Sequence, residues 1–166
     1  DSDGFPTRTT DDVDRGYDNL GASVQVRADV GRSEIALRHW SARGTSEYSD
    51  FILTPVDQDF ENATTALAVA WPVGAAARAE LRATRFEDRI EQNQSADFLR
   101  TSRDSLDAQM DWRWTPRQEL GAGAMISDEQ ASSESYGERM RADTRQLNLF
   151  VQDRIESGAH RALAAI

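Results

Sequence analysis

The sequence predicts an all-β chain, an antiparallel up-and-down transmembrane β-barrel sheet of about eight strands. Three observations carry this expectation. Apolar residues alternate with polar ones in segment after segment. Tight turns alternate with long polar connections along the chain. The composition is polar, with 39% hydrophobic residues and a mean hydropathy of −0.66, and it contains no run of the ~18–20 apolar residues that a spanning helix needs.

The first alternating segment is the clearest, with Leu20, Ala22, Val24, Val26, Ala28 and Val30 separated by Gly21, Ser23, Gln25, Arg27 and Asp29. Ile35, Leu37 and His39 then oppose Glu34, Arg38 and Trp40, and Ala63, Thr65, Leu67, Val69 and Trp71 oppose Asn62, Thr64, Ala66 and Ala68. A fourth segment sets Ala79, Leu81 and Ala83 against Glu80, Arg82 and Thr84; a fifth sets Leu106, Ala108, Met110, Trp112 and Trp114 against Asp107, Gln109, Asp111 and Arg113. Leu120, Ala122, Ala124 and Ile126 make the sixth, Leu147, Leu149 and Val151 the seventh, and 159–166 begins an eighth. Strands of about ten to twelve residues are expected.

Short turns fall at 31–32, 72–76, 115–118 and 156–158, each carrying Gly or Pro, residues that set turn geometry. Between them lie polar segments at 44–59, 87–99 and 128–143, expected to be long loops. A barrel strand shows lipid only one of its faces, so the other can carry Arg, Asp, Gln and Glu along a wet or filled lumen. Trp71, Trp112 and Trp114 fall near short turns, where an interfacial aromatic girdle belongs. A propeller blade would fit four strands into a similar repeat length, whereas here each repeat holds two.

Composition narrows the function classes. All 19 cations are Arg, against 29 Asp plus Glu, for a net charge of −10. No basic stripe of the kind nucleic acid requires is present. The absence of Cys excludes disulfide scaffolds and thiolate metal sites. Catalysis has no motif to stand on: His39 and His160 lie far apart within strand patterns, with no nucleophile elbow and no phosphate-cradling loop. The chain is therefore not expected to be an enzyme. Two acidic clusters are candidates for a hard cation: Asp1-Ser2-Asp3-Gly4, and the loop from Tyr48 through Asp50, Asp57 and Asp59. Solvated acidic loops explain the same residues without a metal.

Four segments resemble the barrel domain of TonB-dependent cobalamin receptors. They are Asp1-Ser2-Asp3-Gly4-Phe5, Asp14-Arg15-Gly16-Tyr17-Asp18-Asn19-Leu20, Glu47-Tyr48-Ser49-Asp50-Phe51 with Thr54-Pro55-Val56-Asp57-Gln58-Asp59-Phe60, and Gln92-Asn93-Gln94-Ser95-Ala96-Asp97-Phe98-Leu99-Arg100-Thr101. The resemblance implies that 1–166 is part of a 22-stranded barrel in the bacterial outer membrane, with a plug domain and TonB box lying outside these residues. It implies cobalamin or a related corrinoid as cargo and TonB as the partner that relays energy through the plug. It also implies Ca²⁺ ordering of the outer loops, with Asp1, Asp3, Asp50 and Asp57 as the matching ligands and Asp59 a rival for Asp57. Tyr48, Phe51, Tyr136 and Met140, in the long polar segments, are candidates for apolar contact with a large ligand. The chain starts without Met and stops inside an apolar run at Ile166, so it is read as an interior piece of a longer protein. The rival reading is a self-contained eight-stranded barrel acting as a passive pore or anchor.

Overall fold

The computed structural model describes residues 2–3, 16–49, 55–157 and 160–165. Asp1, Asp50 and Phe51 lie outside them, and Asp3 is described through its backbone alone. The described residues form one antiparallel sheet whose spatial order follows the chain. Its strands are β1 (Ser2–Asp3), β2 (Gly16–Val30), β3 (Ser33–Ser49), β4 (Pro55–Val73), β5 (Ala77–Gln92), β6 (Phe98–Thr115), β7 (Gln118–Ser135), β8 (Glu138–Ser157) and β9 (His160–Ala165). β1 and β9 are not paired with each other. The sheet is an open wall, which differs from the closed small barrel of the rival reading.

The short turns at 31–32, 72–76 and 115–118 stand where Gly and Pro place them, and the one at 156–158 reaches outside the described residues; the long polar segments do not behave as loops. β4 alone runs for 19 residues and β8 for 20. Most of 44–59, 87–99 and 128–143 is strand, leaving connections of 93–97 between β5 and β6 and of Tyr136 and Gly137 between β7 and β8. Hydropathy alternates only where the two faces of a sheet meet different solvents. Beyond the hydrocarbon both faces are wet, so the pattern fades while the hydrogen-bond ladder continues.

The ladder registers sort every side chain to one of two faces. On the first face, Val26, Leu37, Leu67, Ala83, Leu106, Ile126 and Leu147 stand opposite one another in a single row across seven strands. The row beneath is Ala28, Ile35, Val69, Leu81, Ala108, Ala124 and Leu149. Below it come Trp71, Ala79, Met110, Ala122 and Val151, then Val73, Ala77, Trp112 and Leu120. Four rows ~6.8 Å apart span about 20 Å of strand from centre to centre, which with the width of the side chains makes up most of the ~25 Å apolar band of an outer-membrane barrel. Trp112 and Trp114 meet edge to face at 4.6 Å at the lower border of this band, as the girdle expectation requires.

The opposite face is polar at the same height and is the inner one. Ala42, Ala70 and Ser127, the buried apolar and polar residues among those described, all lie on it. Ala66, Ala68 and Ala70 there share a cleft with Arg27, Glu34 and Arg82. Meanwhile Leu147 and Leu149 on the first face are 67% and 71% exposed. No described side chain of any size is fully buried, so the leucines and valines have no protein core to enter. Only hydrocarbon at the first face supplies the ~1.5–3 kcal/mol that burying each such side chain is worth.

Close strand approach is secured by glycines under aromatic rings. A Cβ on Gly44 would collide with the Asp18 carbonyl oxygen and approach Phe60 Cζ to 2.9 Å; one on Gly123 would strike the Phe150 ring. Phe60 fills the space over Gly44 and stacks on Tyr17 with centroids 5.8 Å apart.

Two outcomes are expected. Leu67→Arg places a cation in the all-apolar row and costs roughly 2–4 kcal/mol of folding free energy in a bilayer, whereas Ala66→Arg, on the inner face, costs far less. Guanidinium titration of the complete protein in lipid vesicles reads both, and equal penalties contradict the facing. In the same assay Gly44→Ala lowers stability by about 1–3 kcal/mol, while Gly21→Ala, whose Cβ meets only the Ser41 carbonyl oxygen at 3.9 Å, changes little.

Candidate functional site

Above the apolar band the inner face changes character. Trp40, Thr64, Phe86, Arg103 and Glu129 form one row across β3 to β7. Two rows higher are Gly44, Phe60, Ile90, Leu99, Ser133 and Met140. Between them lie Asn62, Asp88 and Thr101. Arg103 donates to Glu129 at 2.7 Å and its guanidinium stands 5.9 Å from the Phe86 ring centroid. This upper inner wall offers flat apolar surface interspersed with hydrogen-bonding groups, the composition of a site for a large amphipathic ligand. Sequence periodicity did not reveal it, because Ile90 and Leu99 lie in a segment expected to be loop, and Phe60 and Phe86 fall just beyond the ends of the alternating segments.

Lower on the same face the wall is ionic. Arg27 Nε meets Glu34 Oε1 at 3.0 Å and Arg78 meets Glu34 Oε2 at 3.3 Å, so one carboxylate joins two strands. Arg82 pairs with Glu80 at 2.7 Å. These groups line the lumen-facing part of the membrane span, where charge costs little if water or protein fills the interior.

The rim is held by the short connection 93–97, whose polar residues reach hairpins on both sides. Asn93 Nδ2 donates to Asp57 Oδ2 at 2.7 Å, the Asp57 amide donates to Gln94 Oε1 at 3.0 Å, and Gln92 Nε2 donates to the Tyr48 hydroxyl at 2.7 Å. On the other side the Tyr136 amide donates to Asp97 Oδ1 at 2.9 Å. Just below, Glu91 accepts from Arg100 and Arg89, and the Arg100 bond first, then that of Arg89, holds its carboxyl below the usual carboxylate value. Its ionic bridge persists above the ordinary carboxylate pKa and is lost only as pH falls through the depressed one.

The residues singled out in the sequence take different places. Tyr48 lies on the inner face at the top of β3, and Met140 on the inner face of β8. Tyr136 stands at the tip of the β7–β8 hairpin, 90% exposed and with φ 52, beside Gly137 with φ 82. Positive φ at both central positions is the geometry of a type I′ turn, which favours Asn-Gly over Tyr-Gly. Among the candidate cation ligands, Asp3 pairs with Gly16, the Gly16 amide donates to Glu47 Oε2 at 2.9 Å, and Glu47 pairs with Asp57. Asp3 and Asp57 thus share one rim row with Glu47 between them. Among the described residues no three metal-ligating side chains cluster. His39 bonds Thr65 Oγ1 at 2.9 Å as a strand residue.

No protein-family model matches the chain. No curated protein matches it either. Solved structures do. The alcaligin outer membrane receptor FauA from Bordetella pertussis superposes with a TM-score of 0.81 at 12% identity, over 92% of this chain and 28% of that one. The copper transporter OprC gives 0.62 at 12% identity, over 92% and 30%. The ferric yersiniabactin uptake receptor FyuA from Yersinia pestis gives 0.56 at 12% identity, over 92% and 28%. In fold the chain corresponds to part of an outer-membrane β-barrel. It spans less than a third of the length of each of these structures, and its strand count and open edges agree with a stretch of wall cut from a larger cylinder.

Tyr136→Asn is expected to relieve turn strain, raising stability by up to about 1 kcal/mol, while removing the exposed ring. A guanidinium midpoint that rises, or holds, with ligand affinity reduced identifies the ring as a contact. Unchanged affinity makes Tyr136 a turn residue alone.

Proposed function

We propose that this chain is part of the barrel wall of a TonB-dependent outer-membrane receptor that imports a large chelate, with cobalamin as the cargo. The observation that carries the transport reading is the two-faced wall: apolar rows outside, and inside an ionic lower half beneath an upper surface of Trp40, Phe60, Phe86, Ile90 and Leu99 set among polar groups. An anchor protein has no use for an amphipathic inner surface at the level of the outer rim. The neighbours in fold are a receptor for alcaligin, a copper transporter and an uptake receptor for ferric yersiniabactin, which supports transport of a chelate or metal. Cobalamin rests on the resemblance of the Tyr17, Tyr48 to Phe60 and Gln92 to Thr101 segments.

TonB engages, in this reading, through a plug domain inside the completed cylinder. Ca²⁺ is the proposed loop-ordering ion, held by Asp1, Asp3, Asp50 and Asp57. The reading is supported by the rim level that Asp3, Glu47 and Asp57 share across β1 to β4 and by the hard oxygen character of the donor set. Bound there, Ca²⁺ would supply positive charge that joins β1 and the β3–β4 hairpin. Tyr48, Phe51 and Tyr136 are the proposed rim contacts to the ligand.

The test is uptake of radiolabelled cobalamin by cells that carry the complete protein as their sole route. Expected are saturable uptake, its loss when TonB is deleted, and weaker binding when Ca²⁺ is chelated. Uptake of a ferric chelate or copper without cobalamin overturns the cargo but keeps the transporter. Uptake that is indifferent to TonB overturns the receptor class, and binding indifferent to chelation overturns the Ca²⁺ role.

A further inference from the structure

The lower edge of the wall ends in short turns, which places it on the periplasmic side of an outer-membrane barrel. The β6–β7 hairpin carries a bulge there. Arg113 pairs with Glu119 and Thr115 with Gln118, so Trp114 is one residue more than β7 can match. An extra residue of this kind re-aims a side chain at a barrel rim. Trp114 is 57% exposed, its ring meets that of Trp112 edge to face at 4.6 Å, and Pro116 and Arg117 close the turn beyond it.

A groove of about 540 Å³ curls around this lip. Trp114 and Pro116 give it an apolar wall, and Arg113, Arg117 and Arg154 face it with Glu119 and Glu156. Arg154 stands 3.8 Å from Glu119. Among the described residues the guanidinium groups of Arg113 and Arg117 have no hydrogen bond or ion pair, although Glu119 is the direct cross-strand partner of Arg113. Asp153, an outward carboxylate at this level, is already occupied, since Gln118 Nε2 donates to its two oxygens at 3.1 and 2.9 Å. The lip thus holds two uncommitted guanidinium forks beside an indole.

That pairing suits an amphiphile with a phosphate. Guanidinium forks take phosphate oxygens bidentately, and an indole rests at the level where headgroup gives way to acyl chain. Depth selects the source of the phosphate. Trp112 and Leu120 belong to the lowest apolar row, and Gln118 lies two residues below Leu120. Two residues make about 7 Å of strand, or some 5 Å of height at a tilt of about 40°. Headgroups fill roughly 5–8 Å beyond the hydrocarbon on each side, so Arg117, next to Gln118, lies within the inner leaflet's phosphate layer.

We infer that this periplasmic groove is a binding site for a glycerophospholipid of the inner leaflet, with Arg113 and Arg117 taking its phosphate and Trp114 packing on its glycerol backbone. The inference rests on the outer-membrane reading of the fold but not on the identity of the cargo.

The test uses the complete protein in detergent, with phosphatidylethanolamine, phosphatidylglycerol and monogalactosyl diacylglycerol of matched acyl chains as separate probes read by native mass spectrometry. Expected is retention of both phospholipids over the phosphate-free galactolipid. Arg113→Gln combined with Arg117→Gln should lower that retention about tenfold, the loss of charge-assisted bonds, and Trp114→Ala should lower it as well. Arg43→Gln combined with Arg139→Gln removes the same charge toward the opposite rim and should leave retention unchanged. Heat-modifiable mobility checks folding; if Trp114→Ala fails to fold, the two arginine pairs, all four on exposed side chains, decide between them. Equal retention of the galactolipid overturns the site, as does an equal effect of the two arginine pairs. Displacement of the phospholipid by millimolar inorganic phosphate overturns the lipid as its ligand. None of these readouts involves cargo, so failure of the cobalamin reading leaves them standing.

Discussion

The structure depends on the unbroken ladder between neighbouring backbones. A sheet in hydrocarbon has no water to satisfy its amides, and this one has no protein core to hold it flat. Each strand is therefore fixed by the two beside it, from Tyr17 opposite Ser46 to Gln118 opposite Ile155. Once that register is set, the period of two decides which residues meet lipid. A slip of one residue on β4 would exchange Leu67 for Ala66 and carry the inner polar surface into the membrane. The tight turns at Gly31, Gly74 and Gly137, all with positive φ, fix the register locally. The glycine and aromatic pairings at Gly44 with Phe60 and Gly123 with Phe150 fix it at mid-strand.

The same ladder explains how much of the fold was legible. Segments such as Leu20 to Val30 and Leu106 to Trp114 lie where one face is apolar and the other polar, and their alternation reported strand and facing together. The upper halves carry no such contrast. Glu87, Arg89, Glu91, Arg100 and Ser102 are polar and mutually paired, and a polar segment without periodicity reads as loop even when it is strand. Sequence captured the number of hairpins and the outward rows but not how far the wall rises above the membrane. That omission hid the candidate site, since Phe60, Phe86, Ile90 and Leu99 gain meaning only when consecutive hairpins bring them to one face. Of the candidate residues, Tyr48 and Met140 lie on that face, whereas Tyr136 lies at a turn tip and is set there by Gly137.

Charge is distributed by the same division into faces. The lower inner wall uses shared carboxylates, as Glu34 does between Arg27 and Arg78, so that few cations remain unmatched in the span. Outside, above the band, Glu91 serves two arginines and other arginines find carboxylates of their own, as Arg85 does with Glu87 and Arg145 with Asp128. Such exposed pairs are individually worth ~0–1 kcal/mol, too little to shape the fold. Their placement bears on what the surface meets rather than on what holds it up. An all-arginine cation set suits this division, because guanidinium keeps its charge and its planar fork in settings where an ammonium would be neutralised or fully hydrated.

The connection 93–97 grips the Tyr48–Asp57 hairpin with one hand and the Tyr136 tip with the other. Three successive protrusions are thereby laced into a single cuff. A load that displaced one tip would tug its two neighbours, so the rim should yield or hold as a unit instead of finger by finger.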